Sequence, residues 1–179
     1  MVDNVEMQRS LLLVMAAVSL AGAQPGDVWA PLKLLVGDWK GEGAGEPGKG
    51  EGAFSFRFEL GGKVLVRKSY TAFPAQAGRL ANRHDDLLVV YAEDGLRAIY
   101  WDSEGHVIRY RVTASGDTVT FLSDVSPSAP HFRLSYRATG KDTVFVRFEI
   151  APPGKPEAFG THLEGTSRRA GGQSGKRGR

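Results

Sequence analysis

The feature that most constrains this chain is a repeated pattern of short segments in which apolar and polar residues alternate. Segment 54–60 places its phenylalanines on one side and Ser, Arg and Glu on the other, and segments 108–112, 132–137 and 144–150 repeat the pattern. Turns rich in glycine and proline separate these segments at roughly regular intervals, and no helical pattern follows residue 36. Short alternating strands of even spacing are typical of all-β barrels and sandwiches.

The pattern predicts an all-β fold, an up-and-down antiparallel β-barrel of about ten strands, with a short helical turn before Trp39 that closes one end. Closure removes both exposed sheet edges, and a barrel of this size has room for a small ligand. We call the Trp39 end the floor and the opposite end, where every long loop is predicted, the mouth. The predicted strands are 38–45, 54–60, 63–73, 86–92, 96–101, 108–112, 117–123, 132–137, 144–150 and 158–167.

The two ends of the chain differ from this body. Arg9 precedes an apolar segment too short to span a bilayer and a small-residue cleavage pattern at 21–23, which predicts a signal peptide at 1–23. A buried N-terminal helix is the alternative, and a start at Met7 instead of Met1 would remove two poorly fitting acidic residues. We therefore expect an exported protein, periplasmic or secreted, with no transmembrane segment in the mature chain. Residues 24–169 are predicted to form a single barrel domain and 170–179 a disordered basic tail.

Composition excludes several functions. The 179 residues include 23 Lys and Arg against 20 Asp and Glu, but much of the excess lies in the tail, so the body is near neutral. A near-neutral body without runs of basic residues predicts no nucleic-acid partner. The chain has no cysteine, which excludes thiolate catalysis, Cys-ligated zinc and disulfides. The sequence predicts nothing about the oligomeric state.

Aromatic residues in strands that lead to or from the mouth predict a pocket for a small apolar or amphipathic molecule. Amphipathic rings suit a pocket that is apolar in its depth and polar at its lip, although packing in the core is the alternative for each of them. Alternation leaves open which way His162 points. The predicted ligand-binding residues are Phe56, Phe58, Tyr70, Tyr91, Tyr100, Trp101, His106, Tyr110, Phe132, Tyr136 and His162.

Two polar clusters are predicted to meet at the mouth. The residues His84 to Asp86 precede the fourth strand, and Asp102 to His106 form the next turn at that end. Imidazoles and carboxylates can bind a metal or perform acid–base chemistry. Their spacing matches no metal motif, and the chain has no nucleophile elbow or phosphate loop, so we predict neither a metal nor catalytic residues. An enzyme with His84, Asp86 or His106 as acid or base remains an alternative.

The segment Gly37-Asp38-Trp39 resembles the Gly-x-Trp motif of calycins, the lipocalins and their relatives. In that superfamily the tryptophan packs against a basic side chain from the last strand, which implies a barrel lock between Trp39 and Arg168. Through segments 61–65, 84–87 and 102–108, the mature chain also resembles exported bacterial calycin-like proteins of unknown function.

The opening segment 34–43 is similar to that of nitrobindin-type haem-binding barrels, which have ten strands. A histidine followed by leucine near the C-terminus is the axial haem ligand in that family. The resemblance implies haem as a cofactor, with His162 as its axial ligand; otherwise we expect no cofactor.

Overall fold

The computed structural model describes residues 27–42, 51–75, 78 and 80–171. Ten antiparallel strands follow one another around a closed barrel, and β1 pairs with β10 to complete it. The prediction of an all-β, ten-stranded up-and-down barrel is confirmed. The predicted signal peptide, residues 43–45 of the predicted first strand and the tail beyond residue 171 lie outside the described residues. The strands are β1 Gly37–Glu42, β2 Glu51–Glu59, β3 Val64–Phe73, β4 Asn82–Ala92, β5 Leu96–Asp102, β6 Val107–Ser115, β7 Thr118–Ser123, β8 His131–Gly140, β9 Thr143–Ala151 and β10 Gly160–Arg169.

A short 3₁₀ helix, Ala30–Leu35, lies at the floor. Leu32 and Leu35 of this helix are fully buried, and the Trp39 indole Nε1 donates a hydrogen bond of 2.7 Å to the Leu35 carbonyl. The floor is therefore closed both by apolar packing and by a hydrogen bond that satisfies the buried indole N–H.

The basic residue on Trp39 is Arg169, which corrects the predicted barrel lock by one position. The Arg169 guanidinium lies 4.3 Å from the Trp39 ring centroid, and its Nη1 donates to the Val36 carbonyl at 2.6 Å. Trp39 pairs directly with Arg169, whereas Arg168 pairs with Lys40. Because neighbouring residues of a strand point to opposite faces, only Arg169 shares the face of Trp39.

The floor half of the interior is filled by aromatic rings in mutual contact. Phe54 stacks on Trp39 with centroids 6.0 Å apart, and Tyr136 contacts Phe54, Phe56 and Phe121 edge to face at 5.6–6.0 Å. Edge-to-face and offset arrangements at these separations are favourable. This half of the barrel is a packed core.

The β3–β4 hairpin is longer than the sequence indicated. Its pairing continues to Phe73 opposite Asn82, so that His84 and Asp85 lie within β4 and not in a loop before it. Charged residues at 83–86 hid this part of the strand, because polar runs are typical of loops. A second short 3₁₀ segment, Leu60–Gly62, connects β2 to β3 at the floor.

Segment 152–159 is attached to the barrel by His131. This histidine is 4% exposed, and its Nδ1 and Nε2 lie 2.9 Å from the carbonyl oxygens of Pro156 and Ser123. Phe159 lies between the His131 ring, at 5.0 Å, and the Arg133 guanidinium, at 4.0 Å. Within the described ranges, no helix is long and apolar enough to cross a bilayer.

Candidate functional site

A polar network begins deep inside the barrel at Arg67 of β3. The Arg67 guanidinium donates hydrogen bonds to the Tyr136 hydroxyl and to the Asp86 carboxylate. The Arg67 and Asp86 side chains are only 7% and 8% exposed, and Arg67 Nε has no hydrogen-bond partner among the described residues. A buried charge of either sign destabilises the fold unless it is paired, so each of these two charges offsets the cost of burying the other.

Strand register explains why these two residues meet. Arg67 of β3 pairs with Leu88 of β4. Asp86 of β4 pairs with Ser69, which lies two residues after Arg67 toward the mouth. Leu88 is fully buried in the core, so Arg67 lies on the inner face and Asp86 is its diagonal neighbour. Diagonal neighbours of an antiparallel pair are within reach of long side chains.

His84 Nε2 lies 4.0 Å from Asp86 Oδ2 and links this pair to Tyr100 and Asp102 of β5, through which the network reaches the surface. The Tyr100 hydroxyl lies 3.0 Å from His84 Nε2 and donates to Asp102 Oδ2 at 3.3 Å. Asp102 Oδ2 is also 2.8 Å from His106 Nδ1. The Asp102 side chain is 4% exposed and the His106 side chain 63%, so the network links a buried carboxylate to an exposed imidazole.

The turn between β5 and β6 holds this carboxylate in position. Asp102 Oδ1 accepts hydrogen bonds of 2.9 Å from the backbone N–H groups of Glu104 and His106. Ser103 anchors the turn to β4, because its N–H donates to the Asp85 carbonyl at 2.9 Å and its Oγ accepts from the Asp85 N–H at 3.2 Å. Aspartate commonly bonds to the backbone two residues on, which is why it suits this turn.

The surroundings shift several pKa values. Burial raises the pKa values of the Tyr100 and Tyr110 hydroxyls, which therefore stay neutral. Burial also acts to raise the pKa of Asp102, but the hydrogen bonds from His106 and Glu104 outweigh it, so that this pKa is lowered. The hydrogen bond that His106 Nδ1 donates to Asp102 in turn raises the pKa of His106. Asp102 and His106 therefore form an ion pair at the mouth, in which each residue stabilises the charged form of the other.

This arrangement leaves His106 Nε2 as the ring nitrogen available for proton transfer, because Nδ1 is bonded to Asp102. A carboxylate that orients an imidazole in this way is a common acid–base arrangement. No group of three or more His, Cys, Asp or Glu residues in the described part of the chain is suited to hold a metal. A shallow depression of ≈ 410 Å³ adjoins the network and is lined by Lys68, Ser69, Asp85, Asp86, Leu87, Trp101, Asp102 and Ser103.

Apolar side chains occupy the rest of the mouth half. Phe132 stacks on Phe148 with centroids 5.9 Å apart and planes at 7°, and both rings are half-buried. Leu163 of β10 pairs with Phe148 and is 39% exposed. Directly paired residues share a sheet face, so Leu163 lies on the same inner face as Phe148.

His162 occupies a β-bulge. The register between β9 and β10 shifts between Thr161 and Leu163, which leaves His162 without a direct partner. Its exposed ring is nearly perpendicular to the Phe148 ring, with centroids 5.9 Å apart, and its nitrogens make no hydrogen bond to any described residue. A bulge redirects a side chain from the usual alternation, and this is why alternation left the direction of His162 open.

The predicted ligand-binding residues divide into an inner and an outer set. Three of them lie on the outer face, which corrects their prediction as pocket residues: Tyr70, Tyr91 and Trp101. Each directly follows a residue that points inward, and neighbouring residues of a strand point to opposite faces. The inward residues are Ser69 before Tyr70, the fully buried Val90 before Tyr91, and Tyr100 before Trp101. His106 lies at the rim. The inner set is Phe56, Phe58, Tyr100, Tyr110, Phe132 and Tyr136, of which Phe56, Tyr110 and Tyr136 are buried in the aromatic core.

Sequence reasoning missed Arg67. The alternation Leu65, Arg67 in β3 places this arginine in phase with a buried leucine, and that was the available signal. A charged residue at a core position is rare and marks a place where a partner must exist.

No known protein-family model matches the sequence, and none of the curated proteins matches it at a significant level.

Proposed function

We propose that this protein is an exported binding protein that holds a small apolar or amphipathic molecule in the mouth half of its barrel. The observation that carries the proposal is the contrast between the two halves of the inner face. Contacting aromatic rings fill the floor half, whereas half-buried apolar side chains in the mouth half remain beside a polar network. Pockets for small molecules combine mostly apolar walls with a few polar groups.

The apolar part of the ligand would lie against Phe132, Phe148 and Leu163. Covering these side chains would remove from water the apolar surface that they now expose, which is favourable in proportion to the area buried. The Phe132–Phe148 stack offers a flat surface suited to a ring or an alkyl chain.

The polar end of the ligand would lie toward Tyr100 and His84, which are half-buried at the lip of the mouth. Hydroxyl and imidazole groups can donate to or accept from a ligand, so they suit a hydroxyl, carbonyl or carboxylate group.

Native mass spectrometry of the mature protein, purified gently from an exporting host, tests the proposal. We expect a small-molecule adduct, or, for protein obtained without one, binding of the fluorescent apolar probe anilinonaphthalene sulfonate. Phe148→Ala should weaken this binding, whereas Phe145→Ala, on the same strand but opposite Arg137 on the outer face, should not. A bare protein that also fails to bind the probe contradicts the proposal.

One observation favours haem as the bound molecule. The exposed imidazole of His162 lies beside Phe148 at the mouth, and no described residue occupies its nitrogens. Imidazole is a common axial ligand of haem iron. Titration with haem should then give a Soret band that His162→Ala shifts or abolishes and His106→Ala leaves unchanged. An unchanged spectrum in His162→Ala refutes His162 as the axial ligand.

A further inference from the structure

The outer face of β4, β5 and β6 is apolar near the mouth. Leu87 pairs with Trp101, and Trp101 pairs with Val107, so their side chains form one row across three strands. Trp101 and Val107 are 38% and 52% exposed. The next row toward the floor holds Val89 and Ile99, which are half-buried. An exposed cluster of apolar side chains on adjoining strands commonly marks an interaction surface.

Basic side chains border this apolar area. Lys68 pairs with Leu87 on one side, and Arg109 pairs with Ile99 on the other. Arg97 and Arg111 pair directly with each other on β5 and β6. None of these four cations forms an ion pair with an acidic residue in the described part of the chain.

The Arg97–Arg111 pair is the informative part of this surface. Like charges directly opposite each other on neighbouring strands are destabilising. An external anion between the two guanidinium groups would turn this repulsion into attraction, since arginine binds phosphate oxygens through several donors at once. The face therefore combines exposed apolar side chains with cations that lack a partner in the described barrel.

We propose that this basic–apolar face, formed by the residues named above, docks on the surface of an anionic lipid bilayer. Trp101 and Val107 would enter the boundary between headgroups and acyl chains, and the flanking Lys and Arg side chains would contact lipid phosphates. Tryptophan favours the membrane interface, and surface-bound proteins combine an apolar face with flanking basic residues.

A bilayer fits this face better than a protein or a nucleic acid. The face is an outer wall of the barrel, where Leu87, Trp101 and Val107 lie in one row, and the depression that borders Leu87 and Trp101 is shallow. A bound peptide would need a groove, and reading the base edges of a nucleic-acid duplex would need polar side chains in the place of Val107 and Ile99.

Docking of this face would place the barrel mouth beside the membrane. Trp101 precedes the last residue of β5 at the mouth, and Val107 is the first residue of β6. Membrane docking would not require a ligand inside the barrel, because the docking face lies on the outside.

Flotation of the full chain with lipid vesicles tests the proposal. The protein should float with vesicles of phosphatidylcholine and phosphatidylglycerol in a roughly 2:1 ratio, remain unbound with pure phosphatidylcholine, and dissociate as salt is added. Replacing Arg97, Arg109 and Arg111 by Gln should weaken binding by at least about tenfold, since each basic residue near an anionic surface contributes to attraction. Trp101→Ser should also weaken it.

The matched control replaces three exposed lysines in turns, Lys63, Lys141 and Lys155, by Gln, which removes the same charge from other parts of the surface. We expect this variant to bind nearly as well as the parent protein. Circular dichroism checks that every variant is folded. Equal losses in the arginine and lysine variants would overturn the proposal, because they would assign binding to overall charge. Absence of flotation, or binding to a soluble polyanion such as heparin without flotation, would overturn it as well.

Discussion

The Arg67 guanidinium and the Asp86 carboxylate form an ion pair inside the barrel, with both side chains more than nine-tenths buried. Tyr136, which is 1% exposed, accepts a second hydrogen bond from the same guanidinium. The pair joins the aromatic core to the polar network of the mouth, so its loss should affect the stability of the whole barrel.

Arg67→Met alone should lower the free energy of unfolding by about 3–5 kcal/mol, because it leaves the Asp86 carboxylate buried without its partner. The double variant Arg67→Met, Asp86→Leu should recover most of this loss, since neither charge then remains buried. Urea unfolding of the single and double variants measures both values. In the exposed pair of Arg147 and Glu164, Arg147→Met should cost less than about 1 kcal/mol. A double variant as unstable as the single one would contradict the coupling.

Arg169→Ala should destabilise the floor. The substitution removes the hydrogen bonds to the Val36 and Leu34 carbonyls and the contact with the Trp39 ring. We expect a loss of about 1–3 kcal/mol in the free energy of unfolding. Lys40→Ala, an exposed cation of β1, should change stability by no more than about 0.5 kcal/mol. Similar losses in the two variants would argue against a lock formed by Arg169.

His106 should titrate above its unperturbed pKa of 6.5 because the hydrogen bond that it donates to the Asp102 carboxylate favours the imidazolium. A pKa raised by folding adds stability that is fully present below pH 6.5 and is lost as the pH rises through the pKa of the folded state. The same bond lowers the pKa of Asp102, whose contribution is lost on acidification through that lowered pKa.

Proton NMR of the histidine ring signals against pH measures this pKa. Asp102→Asn should return the pKa of His106 toward 6.5, because the substitution removes the carboxylate that favours the imidazolium. A His106 titration that does not respond to Asp102→Asn would show that the bond is absent in solution.

His131→Ala should release segment 152–159 from the barrel. The substitution removes the hydrogen bonds to Pro156 and Ser123 and the contact with Phe159, at a cost of about 1–3 kcal/mol. Hydrogen exchange should then accelerate in residues 152–159, where the Lys155 and Ala158 N–H groups are now bonded within the segment. Exchange in the β3–β4 hairpin should not change, and His162→Ala should reproduce none of these effects. Slow exchange retained in His131→Ala would mean that other contacts hold the segment.

The sequence predicted the number of strands and their direction because alternation and turn residues are local signals. The aromatic residues of β2 and β8 that it assigned to the pocket, Phe56, Phe58, Phe132 and Tyr136, lie on the inner face, since the other face of these two strands is mostly polar. In β4, by contrast, the run Leu87 to Tyr91 is apolar on both faces, so alternation could not show which side was inside. The outward direction of Tyr91 was not predictable for this reason, and the same holds for Trp101, which ends the apolar run Ala98 to Trp101 in β5.

The sequence by itself therefore determined the all-β class, the ten-stranded meander and the separation of a floor with tight turns from a mouth with long loops. Only the tertiary structure decided the sites. Barrel closure and strand register place Arg67 against Tyr136, 69 positions away along the chain, and put three arginines from two strands on one outer face. The physical reason is that local preference acts between near neighbours in the chain, whereas contacts across a barrel depend on the stagger of all ten strands at once.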